Sequence, residues 1–179
     1  MMALLSGSVR ISVPSPEGKE ILLTILRPGE IFGEIALLDG GDRTADAAAT
    51  ELSCVAVLSR RDVMAFLDKH PRVWPALVEV LCERLRRSTQ HFAEVALMEV
   101  PFRLANAAMR LSTPVGDLPP RSEINLSQRE LGNLVGATRE SVNKCLRDWQ
   151  DRGIVRVEGG AVHILDRAAL EELADLGAF

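Results

Sequence analysis

Cysteine and histidine are scarce in this chain, three of each among 179 residues. Cys54, Cys82 and Cys145 stand far apart, each in an apolar context, which argues for buried thiols in a reducing compartment rather than disulfides. His70, His91 and His163 are scattered, with no metal-ligand spacing and no nucleophile-base motif beside them, so neither a metal site nor covalent catalysis is expected. No apolar run is long enough to cross a bilayer, and the start lacks the basic-apolar-cleavage succession of a secretion signal. A cytoplasmic protein without membrane contact is the simplest expectation, and no enzyme is read from the chain. At 47% hydrophobic content it can bury two modest cores.

What is present concentrates first in Leu126 to Arg152, LSQRELGNLVGATRESVNKCLRDWQDR. Ser127 as N-cap with Glu130 three residues on forms a capping box, satisfying free amides of a first helical turn. Leu131, Leu134 and Val135 share one face of that helix. Gly136 permits a sharp helix end, Ala137 a close approach and Thr138 the cap of a second helix, which together give the compact corner of a helix-turn-helix. On the second helix Val142, Cys145, Leu146 and Trp149, at offsets of 0, 3, 4 and 7, form a stripe that docks it on its own domain. Arg139, Glu140, Asn143, Lys144 and Arg147 share the other side. Arg can bond O6 and N7 of guanine as a fork and Glu can accept from the cytosine N4 amine, so this helix start can read base edges in a major groove. A solvated face of mixed charge is the plain alternative.

Beyond Gly153, residues 154–158 and 161–164 read as two short strands around Gly159-Gly160, a wing. Arg139, Lys144, Arg147, Arg152 and Arg156 against Glu140, Asp148 and Asp151 leave this region at +2 in a chain of net charge −4, with the positive charge where DNA phosphates would lie. Leu126 to Ile164 resembles the winged helix-turn-helix of the cAMP receptor protein and fumarate-nitrate regulator (Crp/Fnr) family of bacterial transcription factors, the match running through Gly136-Ala137-Thr138-Arg139-Glu140-Ser141-Val142. The resemblance implies that Arg139 and Glu140 read a G·C-containing half-site of double-stranded DNA. A third base-contacting position, commonly Arg in the family, is Lys144, a point charge rather than a planar fork. Thr138, Asn143 and Ser127 complete the expected DNA-binding set.

Far upstream, Arg27 to Ala45, RPGEIFGEIALLDGGDRTA, resembles the phosphate-binding cassette of cyclic-nucleotide-binding domains. A short helix start beside Gly33 offers free amides to an anion, Arg43 adds a charge-assisted fork for a cyclic phosphate, and Glu34 can accept from a ribose 2′-hydroxyl. By the family pattern Arg43 and Thr44 contact the phosphate, and Gly33 and Glu34 the ribose and backbone side. Read plainly, the same stretch is a strand, a helical turn and a loop.

Around it, Val9 to Val13, Glu20 to Leu26 and Cys54 to Leu58 read as strands of a β-roll. The chain opens at a point resembling the middle of the family's roll, so the first strands are expected to be missing, with exposed edges and part of the pocket wall unbuilt. The family's iron-sulfur members carry a cysteine cluster, commonly in that missing N-terminal part; none stands in this chain.

From Val73 to Glu99 runs a helical pattern in which Trp74, Leu77, Leu81, Leu85, Ser88, Phe92 and Val95 recur every 3.5 residues on average, the period of a coiled-coil seam. It predicts a parallel homodimer through this helix, with packing on its own domain as the alternative. By resemblance, the pair that bonds the adenine of cAMP, one residue from each subunit, falls on Ser88 and Thr89, so that ligand could set the dimer geometry. Thr44 matches a position that contacts guanine in some relatives, which keeps cGMP open. Pro101 marks a break before Phe102 to Leu111, where domains could pivot. Thr113 to Ser122 is a Pro-rich connector whose counterpart in the family contacts RNA polymerase, although no residue-level motif carries over. Asp166 is expected to cap a last helix through Leu176.

The fold expected is α+β: residues 1–70 a partial cyclic-nucleotide-binding β-roll, 71–100 a dimerisation helix, and 101–179 a C-terminal winged helix-turn-helix. The function expected is a cyclic-nucleotide-controlled DNA-binding regulator with no cofactor beyond that allosteric ligand. Two other classes stay open: a regulator answering another effector or none, and a nucleotide-binding module acting through protein partners.

Overall fold

The computed structural model describes residues 1–14, 20–113 and 122–176. The chain divides into two compact units, Met1–Thr89 and Gln90–Phe179. The boundary falls inside the long helix.

In the first unit, β1 (Met2–Ser6), β2 (Val9–Pro14), β3 (Glu20–Leu26) and β4 (Ile31–Phe32) lead into α1 (Glu34–Asp39), followed by β5 (Asp46–Ala49), β6 (Cys54–Val57) and α2 (Arg60–Lys69). A 3-10 turn, Pro71–Val73, then opens α3 (Trp74–Leu97). The strands form two antiparallel sheets ordered β4-β1-β6 and β3-β2-β5 among the described residues. Leu4, Val9, Leu26 and Phe32 close one core between them. A second core joins Leu37 of α1 to Val63 and Leu67 of α2, with Trp74 and Leu77 of α3 packed against it. Edge strands β5 and β6 are mostly exposed.

That packing divides the helical seam read from the sequence. Trp74, Leu77 and Leu81 are half-buried on the roll's side, whereas Val78, Leu85 and Phe92, seven residues apart, stand 51%, 68% and 75% exposed. Recurrence every 3.5 residues identifies apolar faces without saying what each one meets. Here one face serves its own domain and a neighbouring heptad stripe lies open.

In the second unit, α4 (Val100–Ser112), β7 (Glu123–Ile124), α5 (Gln128–Val135), α6 (Arg139–Asp151), β8 (Val155–Glu158), β9 (Ala161–Ile164) and α7 (Arg167–Asp175) follow the end of α3. Val142, Cys145, Leu146 and Trp149 are all buried, as their spacing predicts. With Leu131, Leu134 and Val135 of α5, Leu104 of α4 and Leu170 of α7, they make the core. β8 and β9 pair around Gly159-Gly160, and β7 adds a third strand on β9. Asp166 caps α7 by accepting from the Ala169 amide at 3.0 Å. Pro101 occupies the first turn of α4, where its missing amide costs nothing. The chain does not divide there, since both sides of the break belong to one unit. The proposed polymerase-contacting connector lies, from 114 to 121, outside the described residues.

Candidate functional site

The cassette in the first unit is organised around Gly33, which caps α1 at φ 70°, ψ 22°, the left-handed region that a residue without Cβ adopts at least cost. A Cβ there would lie 2.0 Å from Nη1 of Arg43, because that guanidinium folds over the glycine and donates to its carbonyl at 2.9 Å. Gly33 and Arg43 are thus brought together across the loop. At the other end of α1, Arg60 of α2 donates through Nε to the Leu37 carbonyl at 2.7 Å and fixes the short helix to the roll. Arg43 and Thr44 are exposed. An open depression of about 410 Å³ takes in Arg43 with Ala36, Leu37, Val57, Leu58 and Arg60.

Glu34, by contrast, is 1% exposed. Its Oε1 accepts from Arg84 Nη1 of α3 at 2.6 Å, and Oε2 has no hydrogen-bond partner among the described residues. Arg84 also donates to the Ile31 carbonyl on β4. A buried carboxylate with one oxygen engaged and one unused is an acceptor waiting for a hydroxyl. Sequence reading missed Arg84. The signal was an arginine on the face of α3 that carries Leu77 and Leu81 and, one turn on, Ser88; a cation on an inward apolar face needs a buried anion. Ser88 and Thr89 are both exposed. Neither is brought against Glu34 by any hydrogen bond recorded within the first unit.

In the second unit the capping box forms as expected: Ser127 Oγ accepts from the Glu130 amide at 3.2 Å, and Glu130 Oε2 accepts from the Ser127 amide at 2.8 Å. Ser127 is therefore occupied in starting α5. The corner turns at Gly136, with the Ala137 amide donating to the Gly132 carbonyl at 2.9 Å. Thr138 caps α6, its hydroxyl accepting from the Ser141 amide at 3.1 Å. Arg139, Glu140, Lys144 and Arg147 are exposed along α6, and Asn143 is half-exposed. Glu140 is held below the usual carboxylate range by its own backbone amide first and the Thr138 hydroxyl second. It stays an anion, which is what accepting from an amine demands. On the inner face, burial pushes the Cys145 thiol up, with the Asp148 charge adding to it.

Two further residues escaped the sequence reading. Gln150 Oε1 accepts from the Val157 amide at 3.1 Å and ties the end of α6 to the wing. Gly132 is buried, and a Cβ on it would lie 2.7 Å from the Ala137 carbonyl oxygen. Close approach at the corner therefore depends on Gly132 as well as on the small Ala137.

Among the described residues no group of acidic, histidine and cysteine side chains could hold a metal, and no helix is long and apolar enough to cross a membrane.

Residues 1–70 match the cyclic nucleotide-binding domain and residues 102–173 the Crp-like helix-turn-helix domain. The chain is 37% identical over 175 residues to the CRP-like cAMP-activated global transcriptional regulator of Mycobacterium tuberculosis, an overlap of 96% of this chain and 78% of that protein. It is 36% identical to the cyclic AMP receptor protein of Thermus thermophilus, over 94% of this chain and 76% of that protein. Among solved structures, a CRP/FNR-family transcriptional regulator from Thermus thermophilus aligns with a TM-score of 0.79 at 28% identity, covering 97% of this chain and 87% of that one.

Proposed function

Because the chain belongs to the Crp/Fnr family of DNA-binding transcription regulators, with a cyclic-nucleotide-binding domain followed by a Crp-like helix-turn-helix, we propose that it is a homodimer that reads palindromic DNA under the control of cAMP. The observation that carries the sensor is Glu34, buried at 1% exposure with Oε2 unused, beside Gly33 and the Arg43 guanidinium. That arrangement supports a ligand presenting a ribose hydroxyl to Glu34 and a cyclic phosphate to Arg43, with Thr44 at its edge. Arg84 orients the carboxylate and offsets its charge. The names of the two relatives support cAMP over other nucleotides, and Ser88 with Thr89 from the partner's helix would close on its adenine. cGMP remains the second reading, resting on Thr44.

The dimer is supported by Val78, Leu85 and Phe92, an exposed apolar stripe at heptad spacing that one protomer leaves uncovered. On DNA, Arg139 and Glu140 read a G·C-containing half-site, with Lys144 and Asn143 alongside, Thr138 fixing the start of the reading helix and Ser127 the helix before it. A two-fold axis through α3 would place two reading helices on half-sites about one helical turn apart.

The test is fluorescence anisotropy of a labelled palindrome with the G·C half-site, titrated with protein at fixed salt without nucleotide, with cAMP and with cGMP. Salt is held because phosphate contacts alone can dominate affinity. Tightening by cAMP is the expected result. Tightening by cGMP alone moves the ligand assignment to Thr44, and specific binding indifferent to both sinks the sensor while leaving the DNA reader in place.

A further inference from the structure

At the end of α3 an ionic knot around a buried carboxylate meets the helix-turn-helix corner. Glu94 is 3% exposed, and its Oε1 accepts from Arg110 Nη1 of α4 at 2.7 Å. His91, one turn earlier, stands 4.0 Å from the other carboxylate oxygen. Arg103 of α4 is 9% exposed with Nε unpartnered among the described residues. Its Nη1 lies 3.6 Å from where a Cβ of Gly136 would sit, and Val95, next to Glu94, touches the same point at 3.5 Å. Glu94 is thus buried against Arg110, whose own side chain is 44% exposed, while Arg103 of the same helix is buried against Gly136. Such a cluster is a poor source of stability, because desolvating a surplus cation costs about as much as the pairing returns. Its best-attested use is to fix one geometry out of several.

Gly136 ends α5, and Thr138 and Arg139 open α6 two and three residues later. Whatever holds Gly136 therefore aims the reading helix. We propose that Glu94 and Arg103 are positioning residues for DNA recognition: they brace the helix-turn-helix corner on the last two turns of α3, so that the dimer helix itself sets the separation of the two reading helices. This rests on the dimeric reading of palindromes given above. The knot also explains why Pro101 does not divide the chain, since Glu94 and Arg110 pair across it.

The experiment uses the full chain with saturating cAMP at fixed salt and a palindrome series whose central spacing is the preferred one, one base pair shorter or one longer. Glu94→Gln keeps the shape and removes the charge. The expected result is a preference for the best spacing reduced by about tenfold, a typical coupling between sites, with affinity for a fluorescent cyclic nucleotide unchanged. A folded Glu94→Gln protein with the wild-type preference, or with equal loss at every spacing, overturns the proposal. Should Glu94→Gln not fold, Arg103→Lys keeps the charge and removes the fork against Gly136; a relaxed preference supports the proposal and an unaltered one overturns it. Wild-type protein with no spacing preference at all would overturn both this and the dimeric reading, whereas an intact wild-type preference that the variants share sinks the knot alone.

Discussion

Arg84 donates to Glu34 at 2.6 Å across 50 residues of sequence, joining the long helix to a carboxylate that the roll buries. The pair is asymmetric, since the Glu34 side chain is 1% exposed and that of Arg84 34%. Removing the arginine would leave a buried anion without its cation, the situation in which broken buried pairs cost most. We expect Arg84→Ala to lower stability by about 3 kcal/mol, the low end for such breaks because the arginine is partly solvated, and to abolish cyclic-nucleotide binding. Thermal unfolding and titration with a fluorescent cyclic nucleotide check both; an unchanged melting temperature would mean that Glu34 relaxes to water.

Gly132 determines whether the helix-turn-helix corner closes. A Cβ there would lie 2.7 Å from the Ala137 carbonyl oxygen, a backbone atom that cannot swing aside like a side-chain tip. Gly132→Ala should gain helix propensity yet lose about 1–3 kcal/mol through overpacking. DNA affinity should fall while cyclic-nucleotide affinity holds. A variant as stable as wild type, with intact DNA binding, would show that the turn shifts at no cost.

These two positions mark what was legible and what was not. The reading helix was recoverable to the residue, because Ser127, Glu130, Gly136 and Thr138 act within a few residues of themselves, and local hydrogen bonding needs no knowledge of the rest of the fold. Strands β2, β3 and β6 followed from alternation and short apolar runs. β5, Asp46–Ala49, did not, since an Asp and three Ala carry little strand propensity and its pairing with β2 is decided by tertiary context. In the cassette, Gly33, Glu34 and Arg43 stand close in sequence and could be read together. Arg84 and Glu94 could not, because each acts on a partner that a periodic helix pattern does not name. The same ignorance merged two faces of α3 into one seam.

His91 should give the DNA-binding unit a measurable pH dependence. Burial first and the Arg110 charge second push its pKa below the ordinary 6.5, Glu94 opposes them, and Arg103 adds to the lowering. With the folded value depressed, the unfolded chain binds the proton more readily, so stability is fully present above about 6.5 and falls as pH drops through that value toward the folded one. His91→Gln should flatten this part of the profile relative to wild type when urea midpoints are compared between pH 5 and 8. Superimposable profiles would place the imidazole in water.

Glu140 carries the final prediction, which concerns recognition rather than stability because the carboxylate is fully exposed. Its own amide and the Thr138 hydroxyl favour the ionised form, with Arg139 adding a smaller push in the same direction. Only the ionised carboxylate is purely an acceptor, the form suited to the cytosine N4 amine. Discrimination at the base pair read by Glu140 should therefore persist to a pH below the usual carboxylate range, then fade as the group takes up its proton. Thr138→Ala removes one of the two hydrogen bonds and the helix cap together. The fade should then begin at higher pH, with about 1 kcal/mol of stability lost from the cap. Anisotropy with the half-site cytosine replaced, compared with the intact site from pH 7 down to about 3, below the ordinary carboxylate range, separates the two effects. Discrimination independent of pH in both proteins would mean that Glu140 does not read that base.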